Sequence, residues 1–390
     1  MTTARIVRGL DLAAWRHLQP RSALHDEAWL SVMSSRLPGE VFTVTLGEDL
    51  GFCAVLVSDP DAYEAYNPYA VLWREPPVFA LPGRAWRAAG LTDLDRGSGS
   101  TLPALVLVAP GYLGDPAGHL ADDPDAVERL IRQVSQWCAA TGVVSLHILY
   151  SAGPVVAGVI GRVGGSTYPI TTRSVLPVWW DDWDGYLHGL PRRRRADIAR
   201  QERRAREAGL DVRRLDVGEH FEDILAGRCA LLRRYGQHAD EAAERRRLGA
   251  LAEAFGDRLV VYGAIRSREV VTCAVCVVNG RSMHVVYTGS SDAAQTLPFA
   301  HFLATFHGPI QSASRNALDE IDYGIGHSDG KVFRGCRSQQ LFGHVIGIGT
   351  ERQSLLGQAS RLLAAAYRPT EGSVPQPSRA AGPVTAQGKG

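Results

Sequence analysis

The chain has 390 residues, more than one hydrophobic core usually organises, so its length predicts two domains. With 45% hydrophobic and 21% charged residues the composition is that of an ordinary globular protein, and a net charge of +1 excludes a global field that attracts polyanions. No apolar run approaches the roughly 20 residues that span a bilayer, and residues 1–9 lack the hydrophobic stretch of a signal peptide, so we expect no membrane span and a cytoplasmic location.

Two regions of the chain show the same order of predicted elements. In the first, strand-like runs at 41–46, 52–57 and 105–109 precede an amphipathic helix at 125–140 and a strand at 143–150. In the second, strands at 258–265, 269–278 and 282–288 precede a helix at 298–314 and a strand at 318–324. This repeat predicts an α/β protein with two domains of similar shape packed side by side.

A highly charged helix is predicted between the two regions, from Pro191 to Ala208, with Gly209 as its stop signal. Residues 192–206 contain eight arginines against two carboxylates, a local excess of six positive charges. Guanidinium groups pair well with phosphate oxygens, so this helix is a candidate phosphate-binding or RNA-binding element. The alternative is a solvated helix with ion pairs such as Arg193–Asp197 and Glu202–Arg206. The predicted phosphate contacts are Arg192, Arg193, Arg194, Arg195 and Arg200.

The segment 320–337 is the second candidate site. A strand ends at Asp322 and Tyr323, a glycine-rich turn follows, and three cations then occur within seven residues. Transfer of an acyl group to an amine passes through an oxyanion, which a nearby cation stabilises, and it needs a group that accepts the amine proton. The predicted catalytic residues are therefore Lys331 or Arg334 for the oxyanion and Asp322 or His327 for the proton. The predicted substrate-binding residues are Tyr287, Tyr323 and Arg337. The alternative is a surface loop with ordinary charges.

Other apparent motifs are weaker. Cys273 and Cys276 resemble a metal-binding pair, but on a strand residues three apart face opposite sides, so we expect no metal site. The glycine-rich stretch 158–165 lacks the residues of a phosphate loop and is interpreted as a flexible link. The tail 369–390 has almost no large apolar residues and is predicted to be disordered. The predicted domains are 1–165 and 166–368.

Three sequence blocks within residues 178–342 carry a resemblance to a known family. The first is the apolar lead-in and basic helix at 183–200, the second comprises the strands at 269–278 and 283–288 with Pro298-Phe-Ala-His-Phe-Leu, and the third runs from Ile321-Asp-Tyr-Gly-Ile-Gly to Lys331-Val-Phe-Arg-Gly. With these three blocks in this order, the chain resembles the Fem-type peptidoglycan aminoacyltransferases and related GNAT-fold proteins. The long antiparallel helical arm of some Fem members is not seen in the sequence.

The resemblance implies tandem GNAT-like domains, each a mixed, largely antiparallel sheet flanked by helices. It also implies transfer of an aminoacyl group from charged tRNA to an amine of a cell-wall precursor or a small natural product. By matching position, Arg334 stands where the family has a cation facing the reacting carbonyl, and Lys331 is the nearby competitor.

The sequence leaves the donor open. Acetyltransferases of this fold cradle coenzyme A on a basic, glycine-containing loop, whereas residues 289–298 here contain one glycine, no cation and an aspartate, so we expect aminoacyl-tRNA and no bound cofactor. The alternatives are an acyl-CoA-dependent N-acyltransferase that acts on a small amine, and a catalytically silent module that holds RNA or a peptide.

Overall fold

The computed structural model describes residues 3–18, 22–74, 90–326 and 328–367. Its centre is one sheet of twelve strands. In chain order these are β1 Ala4–Arg8, β2 Glu40–Leu46, β3 Leu50–Val57, β4 Ala104–Leu107, β5 Ser145–Ser151, β6 Ser166–Pro177, β7 Asp211–Leu215, β8 Leu259–Arg266, β9 Glu269–Asn279, β10 Ser282–Ser290, β11 Glu320–Ile325 and β12 Arg337–Gly347. Across the sheet the order is β1-β2-β3-β4-β5-β12-β6-β11-β10-β9-β8-β7.

The strand order confirms the predicted repeat. Strands β1 to β4 form an antiparallel series, and β4 then pairs in parallel with β5. Strands β7 to β10 form a second antiparallel series, and β10 pairs in parallel with β11. We call β1–β5 the first unit and β7–β11 the second unit.

The two units are joined in the sheet by β6 and β12. Strand β12 pairs with β5 on one side and β6 on the other, and β6 pairs with β11. The last strand of the chain therefore lies beside the first unit. The division into residues 1–165 and 166–368 stays a prediction, and the predicted disorder of 369–390 lies outside the described residues.

Helices cover both faces of the sheet. They are α1 Leu12–His17, α2 Glu27–Met33, α3 Pro68–Trp73, α4 Pro124–Thr141, α5 Pro154–Arg162, α6 Trp183–His188, α7 Arg192–Glu207, α8 Phe221–Arg234, α9 Glu241–Phe255, α10 Ala300–Phe302, α11 Gly308–Ala313, α12 Ser328–Phe333 and α13 Thr350–Ala366. A π-helical turn, Leu303–His307, connects α10 to α11.

Local signals account for the helices that the sequence predicts. Helix α4 begins where Asp123 accepts hydrogen bonds from the first backbone N–H groups, and it ends at Gly142, whose φ of 77° favours glycine. Its apolar face packs on one side of the first unit's strands. On β9, Cys273 and Cys276 enter different core clusters, as expected for residues on opposite faces of a strand.

The interpretation of the glycine-rich stretch 158–165 as a flexible link is wrong. Gly158 and Gly161 lie in α5, where an added Cβ at either position would meet nothing within 4 Å. The helix forms because Pro154 starts it and because Val156, Val159 and Ile160 are buried at helical spacing.

No helix in the described residues is long and apolar enough to cross a membrane. Within the same residues no group of three or more His, Cys, Asp and Glu side chains is arranged to hold a metal ion.

Candidate active site

A cavity of about 580 Å³ opens where β10 and β11 stop pairing. The parallel register of these strands ends at His284 opposite Asp322. Just beyond this point β10 has an irregularity between Val285 and Tyr287, and β11 has one between Asp322 and Ile325. Both strands therefore leave regular pairing at the same level, and the side chains that follow line a cleft.

Both units contribute to the cavity walls. The second unit supplies the ends of β10 and β11, one side of the helical segment 300–307, and one face of α8. The first unit supplies apolar and aromatic groups. The lining is Leu24, Trp29, Gly111, Tyr112, Arg173, Arg228, Leu231, Tyr235, His284, Val285, Val286, Tyr287, Thr288, His301, Phe302, Thr305, Phe306, Asp322, Tyr323, Gly324, Ile325, Gly326, Gly330 and Lys331.

An ion pair is buried at the base of the cavity. Arg173 Nε lies 3.2 Å from Asp322 Oδ2, and His284 Nδ1 lies 3.1 Å from the same oxygen. Burial favours the neutral acid and raises the pKa of Asp322, but the Arg173 guanidinium and the hydrogen bond with His284 outweigh it, so the pKa lies well below its ordinary value. Asp322 is therefore a carboxylate.

Lys331 supplies a second cation to the cavity. Its Nζ donates hydrogen bonds to the carbonyl oxygens of Tyr323, Gly324 and Ile325, at 2.8, 3.2 and 2.9 Å. Burial lowers the pKa of Lys331 to about 8, so the ammonium form still predominates at pH 7. The lysine thus fixes the end of β11 and places a positive charge on the cavity wall.

Arg334 lies outside the cavity lining and is almost completely buried. Its guanidinium carbon lies 4.0 Å from the ring centre of Phe302 and 4.6 Å from that of Phe306. The same group donates hydrogen bonds to Gly330 O and Gln201 Oε1, each at 2.9 Å. Arg334 therefore holds α7 and the start of α12 against the helical segment that forms one cavity wall.

Two of the three predicted substrate-binding residues line the cavity. Tyr287 faces the cavity, with the guanidinium carbons of Arg228 and Arg247 at 5.1 and 5.8 Å from its ring centre. Tyr323 also lines the cavity, and its ring lies 4.6 Å from that of Phe306. Arg337 is exposed at the start of β12 and is not part of the lining.

His327, one of the two predicted proton acceptors, lies outside the described residues. The structure brings together four of the predicted residues in one cavity, namely Asp322, Lys331, Tyr287 and Tyr323. His284 and Arg173 were missed by sequence reasoning. The available signal was a titratable residue inside each of two otherwise apolar or uncharged strands, but their proximity to Asp322 depends on the pairing of β6, β10 and β11.

The basic helix α7 packs directly against the segment that carries Lys331. Arg194 Nη1 donates a hydrogen bond to Val332 O at 2.9 Å. Arg192, Arg193 and Arg200 are exposed, and Arg200 pairs with Asp197 at 2.7 Å. Asp197 thus pairs with Arg200 and not with Arg193 as the sequence suggested, whereas the predicted pair of Glu202 and Arg206 is present at 3.4 Å.

The corresponding point of the first unit is filled by aromatic side chains. Pairing of β4 and β5 ends at Leu107 opposite Ile148. Beyond it, Tyr66 and Tyr112 stack with ring centres 5.4 Å apart, and Tyr112 meets Tyr150 edge to face at 5.2 Å. Of these two corresponding points, the one in the second unit is open in the described part of the chain.

Several solved structures share this fold. The C-terminal domain of a protein described as a lysylphosphatidylglycerol synthetase from Agrobacterium fabrum aligns with 10% identity and a TM-score of 0.55, covering 92% of this chain and 98% of that one. FemX aligns with 10% identity and a TM-score of 0.55, covering 87% of this chain and 96% of that one. A conserved protein of unknown function from Bacteroides thetaiotaomicron aligns with 10% identity and a TM-score of 0.53 over 88% and 99% of the two chains. No curated protein matches the sequence.

The predicted fold class, tandem GNAT-like units with largely antiparallel sheets flanked by helices, is confirmed. A family profile described as FemAB-like, for peptidoglycan biosynthesis or recognition, matches residues 117–347. Because this match covers more than half of the chain, the protein belongs to the FemAB-like family and is an acyltransferase.

Proposed function

We propose that the protein transfers an aminoacyl group from aminoacyl-tRNA to the amine of a cell-wall precursor or a related small molecule. Membership of a family described by peptidoglycan biosynthesis or recognition supports the acceptor class. The donor is supported by the position of the basic helix α7, which is the observation that carries the proposal.

Helix α7 lies between the exposed arginines at its start, which we assign to phosphate binding, and the cavity wall. One face carries Arg194 and Gln201, which bond to Val332 and Arg334 next to Lys331. The exposed residues Arg192 and Arg193 make no ion pair with any described residue. A polyanion that binds these arginines therefore lies close to the segment that forms the cavity wall, so the acyl end of a charged tRNA has a short path to the site.

The charges of the cavity suit acyl transfer. Among the cavity-lining side chains, Arg173, Arg228 and Lys331 are cationic, and Asp322 is the carboxylate. This excess of positive charge in a partly buried site stabilises the oxyanion that forms when an amine attacks an ester carbonyl. Lys331 is the group we assign to the oxyanion; it acts through its charge, because its N–H groups donate to the carbonyl oxygens at the end of β11. Arg334, the other residue that the sequence indicates, supports the wall behind it.

A transfer assay distinguishes the two donors. Purified protein is incubated with tRNA charged with labelled amino acids, or with labelled acyl-CoA, and with a panel of amines that includes cell-wall peptides. We expect label to move from charged tRNA to an amine, and prior ribonuclease treatment to abolish the transfer. Transfer from acyl-CoA that is indifferent to ribonuclease would overturn the proposed donor.

Replacement of Lys331 tests the assigned site within the same assay. We expect Lys331→Met to lower the transfer rate by about 10²-fold, because removal of one oxyanion-stabilising group commonly has an effect of this size. Arg281→Gln is the control, since Arg281 forms an exposed pair with Asp319 away from the cavity lining. Equal transfer rates in the two variants would show that Lys331 does not stabilise the oxyanion.

A further inference from the structure

His284 and Asp322 form a pair that spans two parallel strands at the base of the cavity. They are directly opposite in the register of β10 and β11, and His284 Nδ1 lies 3.1 Å from Asp322 Oδ2. Both side chains are buried, with 5% and 3% of their surfaces exposed, and both line the cavity. The pairing of the strands therefore sets the orientation of the imidazole.

Asp322 is poorly suited to take a proton itself. Arg173 Nε lies 3.2 Å from Asp322 Oδ2, and the backbone N–H of Gly324 donates a hydrogen bond to Asp322 Oδ1 at 2.7 Å. A carboxylate stabilised by a guanidinium and two hydrogen bonds is a weak base. It is an effective acceptor for the Nδ1–H of an imidazole, and this bond leaves the lone pair on Nε2.

The second ring nitrogen has no short hydrogen bond among the described residues. Ser282 Oγ, which donates to Glu320 Oε1 at 2.9 Å, lies 3.4 Å from Nε2, and Ser22 Oγ lies 3.5 Å from it. Both contacts are longer than well-formed hydrogen bonds. The ionisable neighbours of His284 in this region are Asp322, Arg173, Glu320 and His25.

We infer that His284 is the proton acceptor of the transfer reaction and that Asp322 positions it. The inference rests on the proposed function and extends it. The acceptor nitrogen attacks the ester carbonyl of the aminoacyl donor, so that a C–N bond forms and the N–H proton passes to His284 Nε2. The C–O bond to the ribose then breaks, and the proton on Nε2 passes to the ribose oxygen, which leaves as a hydroxyl.

The substitution His284→Asn isolates the proposed role. The asparagine amide can replace Nδ1–H as the donor to Asp322, but it has no basic nitrogen in place of Nε2. We expect the transfer rate to fall by about 10²-fold or more, the usual contribution of a general base, and added imidazole to restore part of it. His344→Asn is the matched control, because His344 is also a buried strand histidine, lies outside the cavity lining and bonds to Thr167.

An unchanged rate in a folded His284→Asn variant overturns the inference and leaves the proposed function standing. If the wild-type chain transfers nothing from charged tRNA, the proposed donor is contradicted and the rate of the variant has no reference. A measurement on His284 that does not depend on activity is therefore also needed. In ¹⁵N-histidine NMR spectra we expect His284, assigned from the His284→Asn spectrum, to carry its proton on Nδ1, and Asp322→Asn to change this signal while Arg281→Gln does not. A neutral imidazole protonated on Nε2 would overturn the inference whatever the donor.

Discussion

At the scale of single residues, the pair of Arg173 and Asp322 shows how the protein maintains charge in its interior. Arg173 is 8% and Asp322 3% exposed, so each charge has lost most of its hydration. Their mutual attraction offsets this loss only while both are present, because removing one leaves an uncompensated buried charge. Arg173 therefore compensates the buried charge of Asp322 at the base of the cavity.

Replacement of Arg173 by methionine should reveal this dependence. We expect the free energy of unfolding at pH 7 to fall by about 3–5 kcal/mol in Arg173→Met, and less in the double variant Arg173→Met/Asp322→Asn, which has no buried charge there. Urea unfolding of the four members of the double-mutant cycle measures the difference. A double variant that loses the sum of both single effects would contradict the pairing.

The same pair predicts a pH dependence of a definite sign. The pKa of Asp322 is lower in the folded chain than in the unfolded chain, so the folded state binds its proton less readily. The stability that this carboxylate contributes is complete above about pH 5 and is lost as pH falls below the unfolded pKa of about 3.9.

At the scale of elements, α7 has a buried face that packs on the second unit and an exposed face that is basic. Its buried residues Ile198 and Ala205 attach the helix to the second unit, and its exposed arginines form the candidate tRNA surface. The intrahelical pairs Arg200–Asp197 and Arg206–Glu202 neutralise only part of this charge. Because the helix axis is fixed by its buried face, the direction of the basic face is fixed as well.

Charge reversal at the start of α7 should weaken tRNA binding without unfolding the chain. We expect Arg192→Glu/Arg193→Glu to reduce the affinity for tRNA and to lower the slope of log affinity against log salt by about 2, one for each lost phosphate contact. Salt titrations of tRNA binding measure both quantities. Arg129→Glu on α4 is the control, since Arg129 is exposed on the first unit. A slope unchanged from wild type would exclude α7 as the contact surface.

At the scale of the whole molecule, the cavity exists because the two units are packed together. Arg258 Nη1, next to β8, donates a hydrogen bond to Asp26 Oδ2 at 2.6 Å, which ties the second unit to the start of α2. The adjacent residues Leu24 and Trp29 then form an apolar wall of the cavity. The first unit, whose own cleft is filled by tyrosines, thus completes the site of the second.

Buried histidines should make the whole fold sensitive to mild acid. Burial lowers the pKa of His25, His147 and His307 to about 3 and that of His344 to about 4. Below the unfolded pKa of about 6.5 only the unfolded chain takes up these protons, so stability falls with pH. Between pH 7 and 5.5 we expect a loss of about 1 kcal/mol for each histidine.

Urea unfolding at these two pH values tests this dependence. His147→Asn should reduce the pH effect by about 1 kcal/mol, because one buried imidazole is removed. The control is His188→Gln, which removes an exposed imidazole. A stability that is the same at both pH values would show that these imidazoles are hydrated or protonated in the folded chain.

Local patterns in the sequence determined the elements whose signals are contained within one segment. The helix predicted at 125–140 and the strands predicted at 258–265 and 269–278 agree with α4, β8 and β9 to within two residues. Hydrophobic periodicity and capping residues are sufficient there, because each element buries one continuous apolar face. The charge density of α7 and the cations of segment 331–337 could also be recognised, because each set of charges lies within one short stretch of sequence.

Only the tertiary structure decided which of these charges share the site. Arg334 and Lys331 are three residues apart, yet one lies between phenylalanine rings and the other in the cavity. Likewise, β12 pairs with β5 and β6 more than 160 residues earlier in the chain, and β10 places His284 beside Asp322. Such contacts depend on which strands pair and how the units pack, and pairing between distant segments leaves no periodic signal in either one.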